Sequence, residues 1–177
     1  MCLLQICRAL IGRRIDHDIV TVSLDTSGDS LYKRGHKEAV NKAPMRETMA
    51  STFLREAGYT GKEPLYDPMC GSGTFPIEAA EIARRFDSGR ARPFTFQALP
   101  NYDAAAFDDM RSPNRPAAFN TYGSDRDQGA IHMSAANAKR AEVTDVVSFS
   151  LAQISDIIPQ SDRARIQVGR ISGFGLM

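Results

Sequence analysis

The spacing of apolar and polar positions changes along the chain, and each change marks an element. Residues 15–24 are rich in β-branched side chains (Ile15, Ile19, Val20, Thr21, Val22) and predict a strand. Asp25-Thr26-Ser27-Gly28-Asp29 predicts a turn, and residues 31–36 a second short strand that completes a hairpin. From Pro44 the period becomes helical. Met45, Met49 and Phe53, with Ala50, Leu54 and Ala57, recur at helical spacing and predict one buried face. Asn41 or Lys42 stands where a cap is needed, and Gly58 and Gly61 end the helix. Pro64-Leu65-Tyr66 leads into Asp67 as a brief buried strand. The alanine- and isoleucine-rich residues 75–86 predict a second helix.

Residues 87–121 carry Pro93, Pro100, Pro113 and Pro116 among several aromatics, and read as an insertion with a short helix over 104–110. A strand over 121–124 ends at Asp125. A third helix covers 127–141 with Ile131, Ala135 and Ala138 inward, and another strand covers 146–151. The alternation of strand and helix predicts an α/β layer around a parallel sheet. Residues 160–177 show no clear period and carry Arg163, Arg165 and Arg170 among several glycines, which predicts an irregular tail.

Composition narrows the class. The 177 residues suffice for one compact domain, and 42% hydrophobic with 24% charged residues is ordinary for a globular fold. Basic and acidic residues nearly cancel, 22 against 21, so overall charge gives no argument for a nucleic-acid binder. Cys2, Cys7 and Cys70 are odd in number and lack metal-ligand spacing, which predicts neither a disulfide framework nor a metal site and points to a reducing, cytoplasmic setting. The apolar start, residues 1–11, is too short to span a bilayer, and its arginines follow the apolar run instead of preceding it, so neither a membrane nor a secretory signal is expected. His17, His36 and His132 are scattered and read as solvated or hydrogen-bonded. Met45 and Met49 read as core filler. Nothing in the pattern bears on oligomeric state.

The strongest chemical signal is Asp67-Pro68-Met69-Cys70-Gly71-Ser72-Gly73-Thr74, set between a predicted strand and a predicted helix. Gly71 and Gly73 permit positive φ and a close backbone approach to a ligand. The helix that follows presents free N–H groups at its start, suited to a carboxylate or other anion. Asp67 supplies an acceptor for an ammonium. Donors for a carboxylate beside an acceptor for an ammonium fit the amino-acid end of S-adenosylmethionine, with Asp67, Cys70, Gly71, Ser72 and Gly73 as the binding residues. A phosphate-binding loop would need a lysine after the second glycine. A dinucleotide loop would need a third glycine where Pro76 stands. The structural alternative is a left-handed turn serving packing alone, which also explains Cys70 as a small buried residue without a nucleophilic role.

Gly123-Ser124-Asp125-Arg126-Asp127 is the second signal. An acidic residue at the end of the next strand suits the two ribose hydroxyls, which assigns Asp125 to the ligand and Asp127 to the helix cap. The separation of Asp125 from Asp67 far exceeds the ~20 residues of a simple unit, so the insertion must loop out. Gln153 and Asp156 fall where adenine contacts are expected, although a surface loop explains both equally well. Arg84-Arg85, Arg90 and Arg92 could meet a nucleic-acid phosphate, whereas basic residues near a helix end are ordinarily dipole partners or solvated.

These motifs together resemble one family. Leu24-Asp25-Thr26-Ser27-Gly28, Arg34-Gly35, Lys42-Ala43-Pro44-Met45-Arg46-Glu47-Thr48, Asp67 to Thr74 and Gly123 to Asp127 stand in the order found in the THUMP-associated RNA methylases, which are similar to the bacterial large-subunit ribosomal RNA guanine-N2 methyltransferases. The likeness covers about residues 15–158, and residues 94–103 resemble the family's aromatic-rich insertion. It implies a partial Rossmann-like, class I S-adenosylmethionine-dependent methyltransferase sheet with a small N-terminal β hairpin. It also implies RNA as substrate, guanine-N2 methylation in ribosomal RNA processing, and transfer by direct in-line attack without a metal.

The family's RNA-binding THUMP domain would precede residue 15, and its Asn-Pro-Pro-Tyr tetrapeptide would follow Ile157; neither is found in the 177 residues. In the family the tetrapeptide holds the exocyclic amine of the target base. The expectation is an N-terminal extension and hairpin over 1–40, a donor-binding part over 41–159, and an irregular or out-of-frame tail over 160–177. The chain is expected to be truncated before its catalytic residues, with no catalytic residue of its own, weak donor binding and little activity. Two alternatives remain open: a relative of DNA adenine-N6 methylases, and a non-catalytic fragment or half of a split methyltransferase.

Overall fold

The computed structural model of the protein describes residues 11–33, 35, 45–111, 113–157 and a strand at 165–166. Pro44 and the caps expected at Asn41 or Lys42 lie outside the described residues, as do Cys2, Cys7, Arg34 and His36. The chain divides into two compact units, residues 1–34 with 87–112 and residues 35–86 with 113–177.

In the first unit β1 (Ile11–Asp16) pairs antiparallel with β2 (Ile19–Leu24), and Asp16 faces Ile19 across the closing pair. The single strand expected over 15–24 is thus a tight hairpin. The chain reverses at His17 and Asp18, both with positive φ (44° and 61°). A two-residue loop with both φ positive matches the right-handed twist of its strands, and His and Asp tolerate that region better than most side chains. Leu31 and Tyr32 form a turn, with Lys33 N–H donating to Ser30 O at 2.9 Å, where a strand was expected. Asp25 Oδ1 accepts from the N–H groups of Ser27 (2.9 Å) and Gly28 (3.2 Å) and sets the bend after β2.

The excursion from 87 docks on that bend through Phe96 N–H donating to Thr26 O at 2.8 Å. α3 (Ala104–Met110) begins at Asp103, whose carboxylate accepts from Ala106 N–H at 3.1 Å. Phe94, Phe96, Tyr102 and Phe107 pack as one aromatic cluster, with Phe96 and Phe107 edge to face at 5.2 Å. The aromatic content of the insertion is therefore its own small core.

In the second unit a four-stranded sheet has the order β5-β4-β3-β6, every pair parallel. Its strands are β3 (Leu65–Asp67), β4 (Thr121–Asp125), β5 (Val147–Leu151) and β6 (Arg165–Ile166). β6 comes from the segment read as irregular and pairs with Leu65 and Tyr66. α2 (Thr74–Arg84) packs on β3 and β4, α4 (Gln128–Arg140) on β4 and β5, and α1 (Glu47–Glu56) against α2. α2 is buried almost throughout. It lies between one cluster holding Ala50, Leu54, Leu65, Phe75 and Ala79 and another holding Ile77, Ala80, Ala138, Val143 and Val147. No helix among the described residues is long and apolar enough to cross a membrane.

Two helix faces are rotated from expectation. In α1 the buried residues are Glu47, Ala50 and Leu54, whereas Met49 and Phe53 are 45% and 40% exposed and Ala57 is exposed. Met45 does pack against the core, so only one of the two methionines fills it. In α4 Ile131 and Ala138 are inward as expected, but Ala135 is exposed. The polar Ser134 and Asn137 take the inward place instead. In α4 the inward places go to the two polar residues because each holds a backbone carbonyl there, Ser134 that of Gly71 and Asn137 that of Ser72.

Candidate functional site

The loop between β3 and α2 crosses the carboxyl ends of the central strands, where ligands bind in open parallel sheets. Four hydrogen bonds from other elements fix it. Cys70 N–H donates to Ser124 O (2.9 Å) and Gly71 N–H to Asp125 Oδ2 (3.0 Å), which ties the loop to β4. Asn137 Nδ2 donates to Ser72 O at 2.9 Å, and Asn137 Oδ1 accepts from the Arg140 guanidinium. Ser134 Oγ lies 2.8 Å from Gly71 O and 2.9 Å from Ala130 O, two acceptors for its single hydrogen. Ser134 and Asn137, three residues apart on α4, thus hold the loop's carbonyls from behind.

The two glycines serve different needs. Gly73 (φ 80°) is the left-handed N-cap of α2, and a Cβ there would stand 2.9 Å from Phe149 Cζ and 3.0 Å from Ser134 Cβ. Gly71 (φ 55°) needs the same backbone freedom, but a Cβ there would meet no atom of the described residues within 4 Å. Gly73 is confined by protein, and among the described residues nothing crowds Gly71.

Asp67 is 3% exposed at the end of β3, and its Oδ1 accepts from Met69 N–H at 3.1 Å. Burial pushes its carboxyl up to about 7, with the Asp125 charge adding to the rise and the Met69 hydrogen bond opposing it. A carboxylate this desolvated calls for a cation. Asp125 carries its own constraints: Oδ2 holds Gly71 N–H, Oδ1 accepts from Asp127 N–H at 3.0 Å, and its carbonyl accepts from Ala152 N–H at 3.1 Å. Asp127 caps α4 through Gly129 N–H at 2.8 Å, the role expected for it. Burial, and then the Asp67 charge, raise the Cys70 thiol to about 12, so it stays protonated and unreactive.

A cleft of about 150 Å³ opens beside the loop, lined by Asp67, Pro68, Gly123, Ser124, Ser150, Ala152 and Asp156, with the stacked rings of Tyr66 and Tyr122 at its side. Asp67, Cys70, Gly71, Ser72, Gly73 and Asp125 are therefore gathered in one place. Of these six Asp67 lines the cleft, where Asp156 joins it and Gln153 does not. Ser134, Asn137 and Phe149 were missed by sequence reasoning. Two polar residues on the inward face of α4 were a readable sign, whereas Phe149 gave none.

The family model described as RMKL-like, methyltransferase domain matches residues 34–170. The chain belongs to the RMKL-like methyltransferase domain family. Among curated relatives it is 33% identical over 156 residues to a Synechocystis protein described provisionally as an RNA methyltransferase, covering 85% of this chain and 41% of that protein. It is 36% identical over 157 residues to the ribosomal RNA large subunit methyltransferase K/L of Marinomonas, covering 82% of this chain and 22% of that one. The chain thus spans less than half the length of either relative. Among solved structures, a Listeria monocytogenes protein predicted to be an N6-adenine-specific DNA methylase superposes with TM-score 0.79 at 32% identity, covering 94% of this chain and 45% of that one. A protein described provisionally as a methyltransferase and solved with SAH superposes at 0.78 with 28% identity, covering 96% and 45%. The α/β fold with a parallel sheet and a small antiparallel hairpin is that of these methyltransferase-type neighbours.

Proposed function

We propose that this chain supplies the S-adenosylmethionine-binding part of an RNA guanine-N2 methyltransferase acting on large-subunit ribosomal RNA. One observation carries the reading: a desolvated carboxylate at Asp67 lies beside a glycine turn whose Gly71 has none of the described residues crowding its open side. The pocket fits the donor's amino-acid end. Asp67 would hold the ammonium, which restores its charge, while the start of α2, with no side-chain cap, would face the carboxylate. Asp125 has both oxygens on backbone donors, and its remaining lone pairs would take the ribose hydroxyls. Asp156 on the cleft wall would lie toward the adenine. When bound, the donor supplies an electrophilic methyl group on its sulfonium. Ser134 and Asn137 keep the loop in the shape that receives it.

RNA as substrate rests on the two curated relatives, one described provisionally as an RNA methyltransferase and the other a ribosomal RNA methyltransferase. The description of the Listeria neighbour favours a second reading, DNA adenine-N6 methylation. Methyl transfer by the complete protein to ribosomal RNA and to DNA separates the two. The cleft's 150 Å³ is below the roughly 300–1,000 Å³ of a full ligand site, and residues 1–177 contain no Asn-Pro-Pro-Tyr. These residues by themselves are expected to bind the donor weakly and to turn over little. Calorimetry with S-adenosylhomocysteine tests this: dissociation at or above the micromolar range is expected, and submicromolar binding would contradict it.

A further inference from the structure

We propose that the excursion over 87–112 carries a second binding site, a pocket that takes one nucleotide of single-stranded RNA. The pocket lies wholly within the first unit and encloses about 260 Å³, with Arg90, Arg92 and Arg111 around it and Phe94, Phe107 and Met110 as apolar wall. One carboxylate, Asp87, also lines it, and it meets Arg111 at 3.5 Å. A simple anion would need no aromatic wall, and an apolar ligand would not draw three guanidiniums. A phosphate joined to a flat base uses both.

Arg92 is the best-positioned of the three. Its guanidinium lies 4.6 Å over the Phe94 ring, and its Nη1 donates to Ser27 O (3.0 Å) and Pro93 O (3.1 Å). Its Nε is buried and has no hydrogen-bond partner among the described residues, an unmet donor at the pocket's edge. A guanidinium plane backed by a ring is a platform on which a base can stack. The volume is below that of a whole-cofactor site, so one nucleotide of a strand is the matching size. The choice of RNA over DNA rests on the function proposed above; the nucleotide chemistry does not.

The test uses the full 177-residue chain and fluorescence anisotropy with a labelled, unstructured 12-nucleotide RNA, a DNA 12-mer of the same sequence, and AMP as competitor. Arg90→Gln and Arg111→Gln should each weaken RNA binding several-fold. Each should also lower the slope of log affinity against log salt by about 0.7, the value for one single-strand phosphate contact. Met110 is 78% exposed, so M110E and M110K leave the fold alone; the first should weaken and the second tighten RNA binding at low salt. Calorimetry with S-adenosylhomocysteine should be unchanged in all four variants. RNA affinity that is equal in M110E, M110K and the parent chain overturns the pocket. DNA bound as tightly as RNA overturns the RNA assignment, and AMP bound as tightly as the 12-mer overturns the strand. Loss of donor binding in the parent chain, with the RNA effects intact, removes the proposed donor site and leaves this pocket standing.

Discussion

Replacing Gly73 by alanine separates the structural glycine of the loop from the one that nothing among the described residues crowds. Two costs add at this position. The left-handed φ of 80° is unfavourable for an L side chain by about 1–2 kcal/mol. The new methyl would also stand 2.9 Å from Phe149 Cζ and 3.0 Å from Ser134 Cβ, and overpacking of this kind costs about 1–3 kcal/mol. G73A should therefore lose about 2–5 kcal/mol, whereas G71A, with no atom of the described residues within 4 Å, should lose only the backbone part of about 1–2 kcal/mol. Thermal and urea unfolding read the difference, at roughly 2–4 °C per kcal/mol for a chain of this size. Phe149→Ala should relieve the crowding, so the double mutant G73A/F149A should lose about 1–3 kcal/mol less than the two single losses together. Equal losses in G73A and G71A, or strict additivity with F149A, would refute the account of the loop.

The remaining predictions concern the polar groups around that loop. Asp67 has a carboxyl raised from 3.8 to about 7 by burial, so the folded form holds the proton more tightly than the unfolded chain. Its contribution is fully present below about pH 4 and is lost as pH rises to about 7, on the order of 4 kcal/mol in all. D67N should flatten that part of the stability profile in urea titrations between pH 4 and 8, and an unchanged profile would contradict the assignment. Because an ammonium requires the charged carboxylate, S-adenosylhomocysteine should bind more tightly as pH rises through 7 and release up to one proton per site below it, measurable by calorimetry in buffers of different ionisation enthalpy. Asn137→Ala leaves the carbonyl of Ser72 without its partner and should cost about 1–3 kcal/mol, with donor affinity falling as the loop loosens. A destabilised N137A that binds the donor as the parent does would deny the residue its positioning role.

Much of the second unit was legible because its signals are local. Leu65–Asp67, Thr121–Asp125 and Val147–Leu151 are short β-rich runs, and the alanine-rich 74–84 and 128–140 segments cannot be read as strands. The loop residues Asp67 to Gly73 and Asp125 stood out because glycine pairs and acidic strand ends are rare together. What escaped depends on partners distant in sequence. The reversal at His17 and Asp18 carries no glycine to announce it, so one β-rich run hid two strands. The inward turn of Ser134 and Asn137 is set by carbonyls more than sixty residues earlier. The buried face of α1 runs through Glu47, Ala50 and Leu54, which leaves Met49 and Phe53 outward. β6 is two residues long and gains its place only by pairing with β3.

The most direct test follows the backbone amides of the chain by two-dimensional NMR during titration with S-adenosylhomocysteine to millimolar concentration. The account predicts saturable shifts centred on Cys70, Gly71, Gly73 and Asp125, with those of the β1–β2 hairpin unmoved. Shifts confined to other surfaces, or none at saturating ligand, would contradict it.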